Sequence, residues 1–141
     1  MKVKSLIIGT LLILGISCGK YEHGPSLSLR TKKERLDGDW YTQKIIWDDG
    51  KEETFDDNGL ETMFISKTGV GEFYVDNGSG IIETTMFRWE FRDKKSKFKL
   101  TVENDGKVTV TEYKILRLTN REFWVNQNDA VRKAEIHFQS K

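Results

Sequence analysis

The chain is poor in the residues that specialised folds and chemistries need. Its 141 residues include one cysteine, two histidines and one proline. One cysteine cannot build a disulfide framework, and three such ligands argue against a zinc site. An excess of one charge is also missing. With 23 Lys plus Arg against 22 Asp plus Glu, the chain lacks the basic surplus from which nucleic-acid binders draw most of their affinity. Its longest apolar run, Leu6 to Ile16, has 11 residues, too few for a helix to span a bilayer, which takes about 20. The length fits one domain, at a soft prior of about 150 residues each.

The first segment carries an address. Lys2 and Lys4 precede the apolar run, so Met1 to Ser17 reads as a secretory leader. The run closes on Leu14-Gly15-Ile16-Ser17-Cys18, which resembles a bacterial lipobox of the Bacteroidetes type, although Gly15 stands where a larger aliphatic residue is usual. The resemblance implies cleavage before Cys18 and lipidation of its sulfur, to be seen as palmitate incorporation. Gly19 rather than Asp follows, which implies an outer-membrane lipoprotein and leaves periplasmic or surface exposure open. The competing reading is an ordinary leader cut near Ser17, with Cys18 a free thiol. The expected layout is a signal peptide over 1–17, a lipidated N-terminus and tether over 18–35, and one folded domain over 36–141. Residues 28–36 admit a short helix.

From Asp39 onward the hydrophobic period is two, the spacing of strands with one apolar face. Phe87, Trp89 and Phe91 alternate with Arg88, Glu90 and Arg92, and Phe98, Leu100 and Val102 with Lys97, Lys99 and Thr101. Eight strands are expected, over 39–47, 62–66, 71–75, 83–91, 97–102, 108–117, 122–126 and 132–139. After a long first connection, 48–61, the links are too short for parallel crossovers, so neighbours pair antiparallel. Pro25 lies outside every strand. An all-β, eight-stranded antiparallel up-and-down barrel satisfies all edges by closing; a two-sheet β-sandwich is the alternative.

Gly38-Asp39-Trp40, at the start of the first strand, matches the Gly-x-Trp motif of lipocalins. Together with the lipobox and the stretch from Ile115 to Trp124, it resembles the short lipocalin-like lipoproteins of Bacteroidetes over the whole chain. The barrel segment is shorter than in ordinary lipocalins and no helix is expected after the last strand. The resemblance implies that Trp40 packs at a closed end under a late arginine, with Arg117, Arg121 and Arg132 all open for that role, and that a small apolar ligand enters at the other end.

Trp40, Phe73, Phe87, Trp89, Phe91, Phe98 and Leu100 are candidate cavity-lining residues, with Glu83 and Thr85 in the same phase near the mouth. The 8 Phe, 4 Trp and 4 Tyr are also enough to fill a short barrel completely. Alternating loops put Asp48, Asp49, Glu52, Glu53, Asp56, Asp57, Glu61, Asp76, Glu103, Asp105 and Asp129 at one end. Lys67, Arg92, Lys94, Lys95 and Arg121 fall at the other, beside Arg30, Lys32, Lys33 and Arg35. The basic end is where the anchor emerges, so it is expected to face anionic headgroups unless both clusters are only solvated turns. The acidic turns around Asp56 and Asp76 fit no EF-hand loop, so neither metal nor cofactor is expected.

No catalytic set stands out: His23 lies in the tether, His137 shares the outward phase of Lys133 and Glu135, and no serine has an evident base. Two non-enzymatic functions remain: a membrane-anchored binder of a small apolar ligand, or a filled barrel that docks an envelope protein partner through an exposed patch. Tyr41, Tyr74, Tyr113 and Trp124 are candidates for that patch if they face outward.

Overall fold

A computed structural model describes residues 29–56, 61–76, 78–80 and 82–141. The leader, Cys18, His23, Pro25 and the acidic-turn residues Asp57 and Asn77 lie outside the described residues.

A short helix, α1 (Lys32–Leu36), precedes β1 (Gly38–Trp47), β2 (Glu52–Thr54), β3 (Glu61–Ile65), β4 (Val70–Asp76), β5 (Ile82–Arg92), β6 (Lys97–Asn104), β7 (Lys107–Leu118), β8 (Glu122–Asn128) and β9 (Lys133–Ser140). Each of β3 to β9 pairs antiparallel with the next, and β1 pairs with β3. β1 also closes on β9, from Trp40 opposite Ser140 to Trp47 opposite Ala134. That closing ladder makes the sheet a barrel and removes the sandwich alternative.

The sequence reading put no strand between 48 and 61, where the structure has β2. Glu52 to Thr54 has little strand propensity, but the upper half of β1 is left open by β3, and β2 pairs there. Lys44 clasps Glu52 across the pair at 2.7 Å, and the Phe55 N–H donates to the Gln43 carbonyl at 2.8 Å. β2 and β3 thus share one side of β1, and the barrel keeps eight strand positions.

Two register shifts bend the wall, between Thr42 and Lys44 in β1 and between Ile115 and Arg117 in β7. Each inserts an unpaired residue and changes which side chains face inward beyond it. Trp40 and Thr42 therefore share the interior with Ile45, and Tyr113 and Ile115 with Leu118.

The blunt end is sealed by α1. Thr31 and Glu34 form a capping box: the Thr31 N–H donates to Glu34 Oε2 at 2.7 Å and the Glu34 N–H to Thr31 Oγ1 at 3.3 Å. This turn drives Leu36, fully buried, into the barrel floor. Arg35 binds the Leu118 carbonyl at 3.3 Å, which ties α1 to β7. Above the floor Phe123 meets Trp40, Phe98 and Phe138 at ring-centre distances of 6.0, 5.4 and 5.6 Å. Gly71 makes room for the ring of Phe87: a Cβ there would lie 2.3 Å from Phe87 Cζ and 2.5 Å from the Phe64 carbonyl oxygen.

The strand directions place the turns at 66–69, 93–96 and 119–121 beside α1, and those at 48–51, 105–106 and 129–132 at the opposite end. The first group carries Lys67, Lys94, Lys95 and Arg121 against Asp93, with Arg92 at the adjoining end of β5, and the second Asp48, Asp49, Asp105 and Asp129 against Lys51 and Arg132. Asp93, Lys94 and Lys95 have φ of 47°, 53° and 67°, so a left-handed turn presents both lysines at the blunt end.

Candidate mouth cavity of the barrel

The inward faces of seven strands converge on a cavity in the half of the barrel away from α1. Its apolar wall comes from Ile45, Met63, Phe73, Phe98, Leu100, Phe123, Val125, Ile136 and Phe138. Thr42, Glu61, Tyr113 and Arg132 contribute polar groups. The cavity has about 50 Å³ of room for the centre of a water molecule. Pockets for drug-sized ligands run to roughly 300–1,000 Å³, so a ligand larger than a few waters enters only as the side chains at the mouth give way.

Tyr113 packs against Phe98 with ring centres 6.2 Å apart, and burial pushes its phenol up to about 12. At the rim, Gln127 Nε2 donates to Asp129 Oδ2 at 2.9 Å, while Asp129 Oδ1 accepts the N–H groups of Val131 and Arg132 at 2.8 and 2.9 Å. The Gln127 amide, then the Arg132 and Val131 N–H groups, hold the Asp129 carboxyl below its usual range. Trp47 donates to Glu53 Oε1 at 3.3 Å, and the Arg132 guanidinium lies 5.5 Å from the centre of its ring.

A closed antiparallel barrel of this kind has counterparts among solved structures. A lipocalin-like protein from Bacteroides uniformis ATCC 8492 matches with a TM-score of 0.62 at 13% identity, over 76% of this chain and 99% of that one. The barrel is lipocalin-like. An uncharacterized protein from Bacteroides eggerthii DSM 20697 shares the lipocalin-like fold, with a TM-score of 0.61 at 16% identity over 75% of this chain and 99% of that one. The likeness is one of fold. No protein-family model and no curated protein matches the chain.

Within this lipocalin-like barrel the predicted lining residues separate by height. Phe73, Phe98 and Leu100 stand on the cavity wall. Trp40 lies in the floor, where its Nε1 donates to the Leu36 carbonyl at 2.8 Å, so Gly38 and Trp40 of the motif belong to the closed end. Phe87 and Trp89 are core: the first packs on Phe73 at 4.7 Å, and the second donates to the Ser66 carbonyl at 2.9 Å. Phe91 is half-buried towards the blunt end, edge-on to Trp89 at 5.3 Å. Glu83 is exposed and Thr85 half-buried. The β4–β5 hairpin outruns the barrel at the mouth, where Glu83 pairs with the equally exposed Val75.

Arg117 and Arg132 go elsewhere than over Trp40. Arg117 lies 5.1 Å over Trp124 on the outer wall and pairs with Glu122 at 2.7 Å, and Arg132 is at the mouth. Trp40 is covered instead by Leu36 of α1. Of the candidate surface aromatics, Tyr113 faces inward because of its phase with Ile115 and Leu118. Tyr74 points outward and donates to Glu72, and Trp124 stacks on His137 at 4.1 Å. His137 Nε2 lies 2.5 Å from Glu135 Oε1, so its partners sit on the outer wall, away from the cavity.

The sequence reading passed over Ile45, Met63, Tyr113, Phe123, Val125, Arg132, Ile136 and Phe138 as liners. The alternation of β9 was a usable signal for Ile136 and Phe138. For Tyr113 and Ile45 the phase is set by the two bulges, which leave no local mark.

Proposed function

We propose that the protein is a lipid-anchored envelope lipoprotein, held at the outer membrane through Cys18, whose barrel binds a small apolar molecule at its mouth and catalyses no reaction. The mouth cavity carries this reading: an aromatic and aliphatic wall with a few polar groups at its opening, in a barrel closed at the other end. Nile red, a neutral fluorescent probe, tests it on the chain from residue 19 onward, which retains every described element. Saturable, blue-shifted emission that Ile45→Trp abolishes by filling the cavity is the expected result; emission that rises without saturation refutes binding. The anchor has its own test, incorporation of a palmitate analogue that Cys18→Ala removes.

The cations at the α1 end favour a fixed orientation, with that end on anionic headgroups and the mouth directed away. A shallow groove there holds the half-buried Phe91 among Lys33, Arg92, Lys94 and Lys95, with Glu90 and Asp93 as the acids on the same rim. Each cation near an anionic surface adds up to about 1 kcal/mol. Vesicle binding by the unlipidated chain is expected to rise with anionic lipid and fall with salt; indifference to both rejects the orientation.

One observation favours a second function, docking of an envelope protein. Ile82 and Met86 of β5 and Val108 and Val110 of β7 are exposed, at 64%, 56%, 57% and 53%. All four have the outward phase near the mouth, two on either side of β6, whose Glu103 stands between them and pairs with Arg88 at 3.4 Å. In that case Met86→Lys with Val110→Lys disrupts partner capture, and Nile red does not bind the interior.

A further inference from the structure

The exposed apolar side chains of the barrel wall are gathered on one side. Val70 of β4, Ile82 and Met86 of β5, and Val108 and Val110 of β7 have the outward phase and are all exposed. Among the described residues, β1, β8 and β9 expose no large apolar side chain. Single exposed apolar residues are ordinary, whereas a group of them on one face marks a contact surface.

The charges between these side chains indicate what the contact is made with. Down the middle of the wall, β5 carries Arg88 and Glu90, and β6 carries Glu103 and Lys99. Arg88 pairs with Glu103 at 3.4 Å and Glu90 with Lys99 at 3.1 Å, so cations and acids alternate in a chequered block. The flanking acids are engaged as well, Glu72 by Tyr74 and Glu112 by Lys97 at 2.8 Å. A block of balanced charge does not select a strongly acidic or basic partner, but it is complementary to itself. A two-fold axis lying along the wall between β5 and β6 sets β5 of one copy over β6 of the other. Glu90 then lies over Lys99 of the second copy and Val70 over its Val110, because each of those pairs shares one row of the ladder. Each Arg88 stands between two Glu103 carboxylates, its own and that of the second copy. Lower on the same strands the axis opposes Arg92 and Lys97, two cations, so the contact is centred on the rows nearer the mouth.

We propose that the β5–β7 wall is an isologous contact between two copies of this chain. The proposal takes the wall considered above for protein docking and names the partner; it does not depend on what the cavity holds. The ends of the barrel suit the role less well, because one is mainly acidic and the other mainly basic, and like ends oppose like charges. An axis along the wall also keeps both blunt ends on the same side, the geometry that two copies anchored in one membrane need. Confinement to a membrane raises the effective concentration, so a weak contact between the soluble chains is enough.

The test is sedimentation equilibrium of the chain from residue 19 onward, with charge swaps at two exposed positions. A concentration-dependent dimer is expected. Arg88→Glu and Glu103→Arg are each expected to raise its dissociation constant about tenfold, because like charges then face across the axis. An equimolar mixture of the two variants recovers the dimer, as does one chain carrying both substitutions, since opposite charges meet again. Met86→Lys with Val110→Lys is expected to leave a monomer with the circular dichroism of the parent. A parent chain that stays monomeric up to about 1 mM overturns the proposal. A dimer that both single swaps leave unchanged, or that the mixture fails to recover, uses another surface and overturns it too. A monomeric parent that captures an envelope protein, with capture lost in Met86→Lys with Val110→Lys, overturns the second copy and leaves the docking reading standing.

Discussion

The indole Nε1 of Trp40 and the carbonyl oxygen of Leu36 are joined at 2.8 Å, so the helix before the barrel and the first strand inside it close the floor as one unit. The bond is buried, and Leu36 is itself sealed from solvent. Trp40→Phe leaves that carbonyl without its donor and is expected to cost about 1–3 kcal/mol. Leu36→Ala is expected to cost about 2–5 kcal/mol through the cavity it opens. Because the two residues touch, the double variant should lose less than the sum. Urea unfolding of the three variants checks this, and strict additivity would show that floor and strand are not coupled.

Gly71 is where β4 lets another element approach closely. In Gly71→Ala the new methyl meets the Phe87 ring and the Phe64 carbonyl oxygen, and overpacking of this kind costs about 1–3 kcal/mol. Phe87→Leu in the same chain should recover only part of the loss, because the backbone oxygen stays where it is. Thermal melts of the single and double variants are the measurement, and full recovery would place the conflict in the ring alone.

Tyr113 makes the barrel sensitive to alkali. Burial raises its folded pKa to about 12, above the value of about 10 of an unfolded tyrosine. Its contribution is therefore fully present below about pH 10 and is lost as pH climbs towards 12. Tyr74, raised by its bond to Glu72, acts in the same direction. Tyr113→Phe should flatten the alkaline limb of the stability curve and leave the Tyr74 share; absorbance of phenolate against pH should lose its latest transition.

Asp129 works at the acid side with the opposite sign. Its folded pKa is depressed, first by the Gln127 amide and then by the Arg132 and Val131 N–H groups. The stability it confers is present above the unfolded carboxylate value and disappears as pH falls through the folded one. Asp129→Asn should melt lower than the parent near neutral pH, and the gap should close as the pH falls through the depressed folded value, below the usual carboxylate range. A gap that persists in acid would mean that the carboxylate charge is not what holds the 129–132 turn.

Much of the barrel was legible along the chain. Phe87-Arg88-Trp89-Glu90-Phe91 and Phe98-Lys99-Leu100 alternate without interruption, and in the structure their large residues do face inward. The site was less legible. Glu83 and Thr85 have the right phase, but their height on β5 puts them beyond the enclosed part of the barrel. Arg132 read as one of three arginines available to Trp40, although β9 starts at the mouth and Trp40 lies at the foot of β1.

Alternation, short links and the grouping of charges into loops are properties of near neighbours, so the sequence alone determined antiparallel strands, one apolar face on each, and one acidic and one basic end. Closure of β1 on β9, the bulges at Thr42/Lys44 and Ile115/Arg117, and the pairing of β2 depend on partners far away in the chain. Those features decide which of Tyr113, Ile45 and Arg132 reach the cavity. An unpaired residue in a strand changes the facing of all that follow, and only the ladder opposite determines where that residue falls.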